Sequence, residues 1–150
     1  MLDKTDKIIL RHLQADSKIT IKELAEKINL STSPIFERIK GMEKDGIIKG
    51  YPALVDNKKV DKAQVVFCNV TIPDYSAEAI CEFEKEIAEM PEVSECYHFA
   101  GEIDYQMKVL VKDIDAYYEF LQEFNKLSMV KIHSSVVVLK EVKYTTEIAL

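Results

Sequence analysis

The residues best suited to chemistry in this 150-residue chain are hydroxyls and cations gathered in one short stretch. Ser31, Thr32 and Ser33 stand together ahead of Pro34, and Phe36, Glu37, Arg38 and Lys40 follow. In a helix these residues would face away from the apolar set Ile35, Ile39 and Met42. Hydroxyls at a helix start, beside unpaired N–H groups and the positive end of the helix dipole, are suited to holding a phosphate. Arg38 can meet guanine O6 and N7 or a phosphate, and Glu37 can accept from cytosine N4. Lys44 and Lys49 suit contacts to a nucleic-acid backbone, and Thr20, one helix earlier, completes the candidate DNA-contacting set. Plainer uses stand beside these: an intrahelical ion pair for Glu37, packing for Phe36, solvated charge for the lysines.

Three helices must position that stretch. The first carries Ile9 and Leu13 on one face, with caps available at Asp3 and Thr5, and ends near Asp16-Ser17. Thr20-Ile21-Lys22-Glu23 fits a capping box opening the second, and Asn29 can take the left-handed conformation that closes it. The third begins within Ser31–Pro34, where Pro34 needs no N–H partner, and stops at Gly46. Leu24, Ala25, Ile28, Leu30 and Ile35 would fill the space between the last two helices. Ile47 to Tyr51 reads as a short strand, so residues 1–50 are expected to form a winged helix-turn-helix, with the motif itself over about 20–45.

From about Gln64 the pattern changes to βαββαβ. Val65 to Ile72, Val93 to Ala100, Tyr105 to Lys112 and Lys131 to Lys143 read as strands, and Ala77 to Met90 and Ile114 to Leu127 as helices. The fold class is therefore α+β, the second domain (64–150) being ferredoxin-like and joined to the first by a connecting strand or polar linker over 51–63. Val65 and Phe67 alternate with Val66 and Cys68, and Val137 and Leu139 with Val136 and Val138, so apolar side chains reach both faces of these strands. Two helices on one face leave the other uncovered, and pairing into a homodimer is the simplest cover.

Composition narrows the partners. The net charge of −6 hides an asymmetry: residues 1–50 hold ten basic and eight acidic side chains, the remainder ten and eighteen. A contact with double-stranded DNA belongs in the first third. Cys68, Cys81 and Cys96 form no CxxC pattern and read as reduced core residues, which favours the cytoplasm and no metal site, although His98 or His133 could join them. No apolar run approaches the roughly 20 residues of a membrane span. An enzyme is disfavoured: Cys96 and His98 share a strand face with no third orienting group, and no Gly-rich phosphate loop is present.

The residues also carry a resemblance. Leu2-Asp3-x-x-Asp6-x-x-Ile9-Leu10, Leu24-Ala25, Leu30-Ser31, Arg38-Ile39-Lys40, Glu43, Gly46-Ile47-Ile48-x-Gly50-Tyr51, Gly101-x-x-Asp104-Tyr105 and the closing run from Val138 to Thr146 resemble the Lrp/AsnC, or feast/famine, transcription regulators over the whole chain. That resemblance implies a regulator-of-amino-acid-metabolism (RAM) domain that forms dimers and often octamers, no cofactor, and a small-molecule effector, commonly an amino acid, bound between dimers. It points to Tyr97, His98, Phe99, Gly101, Asp104 and Tyr105, with His133, Ser134 and Ser135, as the effector pocket. Asp104 would pair with an ammonium and the hydroxyls with a carboxylate. Gly101 to Asp104 reads equally as a plain turn. The chain departs from the family pattern at Gly41, usually a large basic or polar residue, and at Ser134-Ser135, usually threonine-rich. An effector-independent architectural DNA-binding protein is the alternative.

Overall fold

The computed structural model describes residues 2–127 and 130–150. The chain separates into two compact units, one running to Ala53 and including Val142–Leu150, the other comprising Leu54–Glu141.

The first unit is built on α1 (Lys4–Ala15), α2 (Ile21–Ile28) and α3 (Thr32–Lys44). Two of the three helices open with reciprocal caps. Asp3 and Asp6 satisfy each other's backbone N–H groups at α1, and Thr20 and Glu23 do the same at α2. Asn29, at φ 54°, closes α2 in the left-handed conformation. Ile9, Leu10, Leu24, Ala25, Ile35, Ile39 and Met42 make the core, each large side chain contributing about 1.5–3 kcal/mol of burial. Leu30, expected among them, is exposed because it follows the left-handed turn.

The strand expected from Ile47 to Tyr51 does not form, for a local reason. Gly46 adopts φ 70°, and the N–H groups of Ile47 and Ile48 both donate to the Met42 carbonyl, at 2.9 and 3.1 Å. Donors that a strand would offer sideways instead close the end of α3. Residues 142–150, expected within the second domain, pack with the first. The Gln14 carboxamide donates to the Ile148 carbonyl (3.1 Å) and accepts from its N–H (2.6 Å), Arg11 donates to the Leu150 carbonyl, and Leu150 packs on the helical core.

The second unit has the expected order: β1 (Gln64–Thr71), α4 (Ala77–Glu89), β2 (Val93–His98), β3 (Tyr105–Val111), α5 (Ile114–Phe124) and β4 (Lys131–Val137). Its sheet runs β2-β3-β1-β4 with every pairing antiparallel. Val66, Cys68 and Val70 of β1 and Tyr105, Met107, Val109 and Val111 of β3 face the helices. There they meet Phe83 and Ile87 of α4 and Tyr117, Phe120 and Phe124 of α5 in one core. Val65, Phe67 and Leu110, of opposite parity, are half-buried, and Val136 opposite Phe67 is exposed. Both helices of this unit thus lie on one face of its sheet, and the other face is apolar in part.

β4 stops at Val137, not Lys143, because its partner β1 begins at Gln64 and offers little beyond the Val66↔Val137 pair. β2 stops at His98, not Ala100; one further bond in register, from the Phe99 N–H to the Asp104 carbonyl (2.7 Å), precedes the turn. Only Cys68 is a core cysteine; Cys81 on α4 and Cys96 on the edge strand β2 are exposed. Among the described residues no helix is long and apolar enough to cross a membrane.

Candidate nucleic-acid interface and effector region

Ile35, Ile39 and Met42 turn inward from α3, so Ser33, Phe36, Glu37, Lys40 and Lys44 are left on its outer side, all exposed. Ser31, Thr32 and Pro34 complete an exposed first turn. Ser31 is the N-cap of α3 and, unlike Asp3 and Thr20, makes no side-chain cap bond, so the first-turn amides keep their donors. Thr20 is committed to α2, donating its hydroxyl to Glu23 (2.7 Å) and accepting the Glu23 N–H (3.2 Å).

The cations of α3 differ in their freedom. Lys40 pairs with Glu43 at 2.7 Å while its ammonium sits 5.9 Å from the Phe36 ring centre. Glu43 also accepts the Tyr51 hydroxyl (2.9 Å), and Lys40 with Tyr51 holds its carboxyl below the ordinary glutamate range. Arg38 lies toward α1, its Nη1 within 2.6 Å of both Asp3 and Asp6. Lys44 and Lys49 are exposed.

The nine residues proposed for an effector do not share one place in the second unit. His98 and Tyr105 share the helix side of the sheet, their rings stacked 4.4 Å apart. Both line a groove of about 350 Å³ between α4 and β2, together with Glu84 and Cys96. Tyr105 donates to Glu84 (2.7 Å), and burial with that carboxylate raises its hydroxyl well above the ordinary tyrosine range. Ser135 is also on the helix side but two strands away, accepting the Tyr117 hydroxyl at 2.6 Å. On the open face lie Tyr97, bonded to Glu95 (3.0 Å), and Ser134, reached through a polar chain in which Gln106 donates to Asn69 (3.0 Å) and Asn69 to Ser134 (2.9 Å). His133 occupies the point where the β1–β4 register shifts.

Phe99, Gly101 and Asp104 belong to the β2–β3 turn. Asp104 is the buried polar residue there, and both its oxygens are engaged: one accepts the Ile72 N–H (2.7 Å), the other the Tyr75 hydroxyl (2.8 Å). Inspection of the sequence missed Asn69, Gln106, Tyr75 and Glu84. Asn69 and Gln106 carried a readable signal, since each is a polar residue at an open-face position of a strand rich in apolar residues.

This architecture has known counterparts. Residues 2–49 match the winged helix-turn-helix DNA-binding family, and residues 65–148 match the Lrp/AsnC ligand binding domain. The chain belongs to the Lrp/AsnC family. It is 36% identical over 151 residues to the DNA-binding transcriptional activator DecR of Escherichia coli K12, covering 100% of this chain and 99% of that protein. Among solved structures, an AsnC family transcriptional regulator from Agrobacterium tumefaciens is similar at 38% identity and TM-score 0.92, covering 99% of this chain and 97% of that one. A Neisseria meningitidis transcriptional regulator solved as an L-Met complex is similar at 34% identity and TM-score 0.93, with the same coverages. As an Lrp/AsnC member the chain is a DNA-binding transcription regulator with a ligand-binding domain, and not an enzyme.

Proposed function

We propose that this Lrp/AsnC regulator binds double-stranded DNA in the cytoplasm through the outer side of α3, as a homo-oligomer joined through the open face of its sheet, and that an amino acid modulates it. The observation that carries the reading is the state of α3. Its first turn keeps free donors beside Ser31, Thr32 and Ser33, and its exposed stripe of Ser33, Phe36, Glu37, Lys40 and Lys44 has the size and polarity to enter a major groove. The first 50 residues carry a net charge of only +2, so a single copy has weak electrostatic hold, and two linked heads would raise apparent affinity through effective concentration. The half-buried Val65, Phe67 and Leu110 supply an apolar surface for that linkage.

An amino-acid effector is favoured by the ligand-binding domain and by the L-Met complex of the Neisseria relative. In this chain Tyr97, Gln106, Asn69 and Ser134 are the polar groups of the open face suited to its ammonium and carboxylate, with His133 and the Gly101 turn at the margin.

The test is selection of duplexes from a random pool, followed by affinity measurements with and without each common amino acid. Enrichment of a motif that Lys44→Ala and Ser33→Ala weaken supports the α3 reading, and failure to enrich any sequence opposes it. An amino acid at 100 times its dissociation constant should stabilise the protein by about 2.7 kcal/mol. If none alters melting or DNA affinity, the effector-independent architectural reading replaces the sensing one.

A further inference from the structure

Arg38 is the α3 residue whose type best suits base recognition, yet one of its two terminal nitrogens is engaged inside the domain and draws the side chain toward α1. Its Nη1 donates at 2.6 Å to Asp3 Oδ2 and at 2.6 Å to Asp6 Oδ1. The remaining oxygen of each carboxylate is already used: Asp3 Oδ1 accepts the Asp6 N–H (2.8 Å) and Asp6 Oδ2 accepts the Asp3 N–H (3.0 Å). One guanidinium therefore closes over the capping box of α1, and the three side chains together carry a net charge of −1. Asp6 is largely buried in this arrangement, its side chain 16% exposed. Withdrawing Arg38 toward a phosphate would leave two carboxylates side by side without their shared cation, and would bring that negative pair near the polyanion. The flanking geometry agrees, since Arg38 lies beside the inward Ile35, Ile39 and Met42 and off the stripe of Ser33, Glu37, Lys40 and Lys44.

We propose that Arg38 is a positioning residue for DNA recognition: by joining α3 to the Asp3–Asp6 capping box it sets the attitude of the reading helix, and it makes no contact of its own with bases or phosphates. The proposal rests on the reading of the outer side of α3 as the DNA contact, and it reassigns one member of that set. It also gives the pair Asp3 and Asp6 a role in DNA binding, although both are acids.

The two roles predict opposite signs for one variant. In Asp3→Asn/Asp6→Asn each amide oxygen can still accept the capping N–H, which turns its NH2 toward Arg38, a donor facing a donor. Arg38 is then released and two negative charges are gone. A direct contact would gain from both changes, whereas a positioning residue would lose its anchor. The experiment measures affinity of the full chain for an enriched duplex across a salt series, for wild type, Arg38→Gln, Asp3→Asn/Asp6→Asn and the triple variant.

The expected result is a loss of about fivefold or more for Arg38→Gln and for the acid pair, with the triple variant no weaker than the weaker of the two, as members of one unit behave. The salt slope and the preference at each base pair should stay as in wild type. Three results would overturn the proposal: unchanged affinity in Arg38→Gln, a salt slope reduced by about one in that variant, or an acid-pair variant that binds as tightly as wild type or tighter. The acid-pair variant alters no residue of α3, so it decides the matter even if Arg38→Gln does not fold. Wild-type chain that enriches no duplex would instead remove the underlying α3 reading, an outcome separable from these.

Discussion

The Tyr75 hydroxyl donates to the Asp104 carboxylate at 2.8 Å, tying the segment after β1 to the turn between β2 and β3. The other Asp104 oxygen takes the Ile72 N–H, so this carboxylate, only 7% exposed, is a fastener of the second unit before it is anything else. Asp104→Ala should lower stability in urea by about 2 kcal/mol, since a buried amide and a hydroxyl lose a charged acceptor. Asp104→Asn, which retains one acceptor, should lose less. An unchanged urea midpoint combined with loss of a ligand response would return Asp104 to direct effector binding.

The Glu43–Tyr51 bond predicts a pH dependence for the first unit. Partial burial, then the Glu43 carboxylate, push the Tyr51 hydroxyl from its ordinary 10 up to about 12. A folded-state value raised in this way supplies stability that is whole below pH 10 and is lost as pH climbs through the window from 10 to 12. Glu43 has the reverse sign: lowered from its ordinary 4.5, it contributes above that pH and loses its contribution as the solution becomes more acid. Thermal melts across pH should therefore show an alkaline decline that Tyr51→Phe diminishes. Equal alkaline declines in the two proteins would show that the bond contributes nothing in solution.

Phe67 and Val136 are paired residues on the open face of the sheet, on adjacent strands. Phe67→Asp should lower the molar mass seen by light scattering, while circular dichroism of the chain keeps its shape because Phe67 points away from the Phe83–Phe124 core. An oligomer of unaltered mass would remove this face as the assembly surface.

Gly41 is an exposed glycine inside α3, and a Cβ added there would meet no atom within 4 Å. Gly41→Ala should raise stability by up to about 1 kcal/mol, the usual helix-interior difference between these residues. Gly41→Lys would add a cation beside Lys40 and Lys44, and should steepen the salt dependence of DNA binding by about one ion. A flat response to the lysine would place Gly41 outside the DNA footprint.

Periodicity and caps were enough to read most of the architecture. The Thr20–Glu23 capping box, the left-handed Asn29, the Gly46 stop and the βαββαβ order are each set by residues within a few positions of one another. Errors arose where a distant partner decides. Ile47 to Tyr51 has strand-forming residues, but their first donors go to Met42. The last strand continues in sequence to Lys143, but β1 is too short to pair with it. Strand alternation, by contrast a local property, sets Tyr97 on one side of the sheet and His98 on the other.

By itself the sequence determined the two-unit plan, the inward faces of the helices and the family, because hydrophobic period, capping chemistry and motif spacing are local or pairwise properties of the chain. How side chains of identical promise are used depends on packing. Arg38 and Lys44 are both cations on α3; one meets carboxylates 35 and 32 residues away and is neutralised, the other remains exposed. The reason is that a charged side chain is committed by whichever opposite charge folding brings within hydrogen-bonding distance, and that partner is chosen by the packing of α1 on α3, not by the neighbours of Arg38 in the chain.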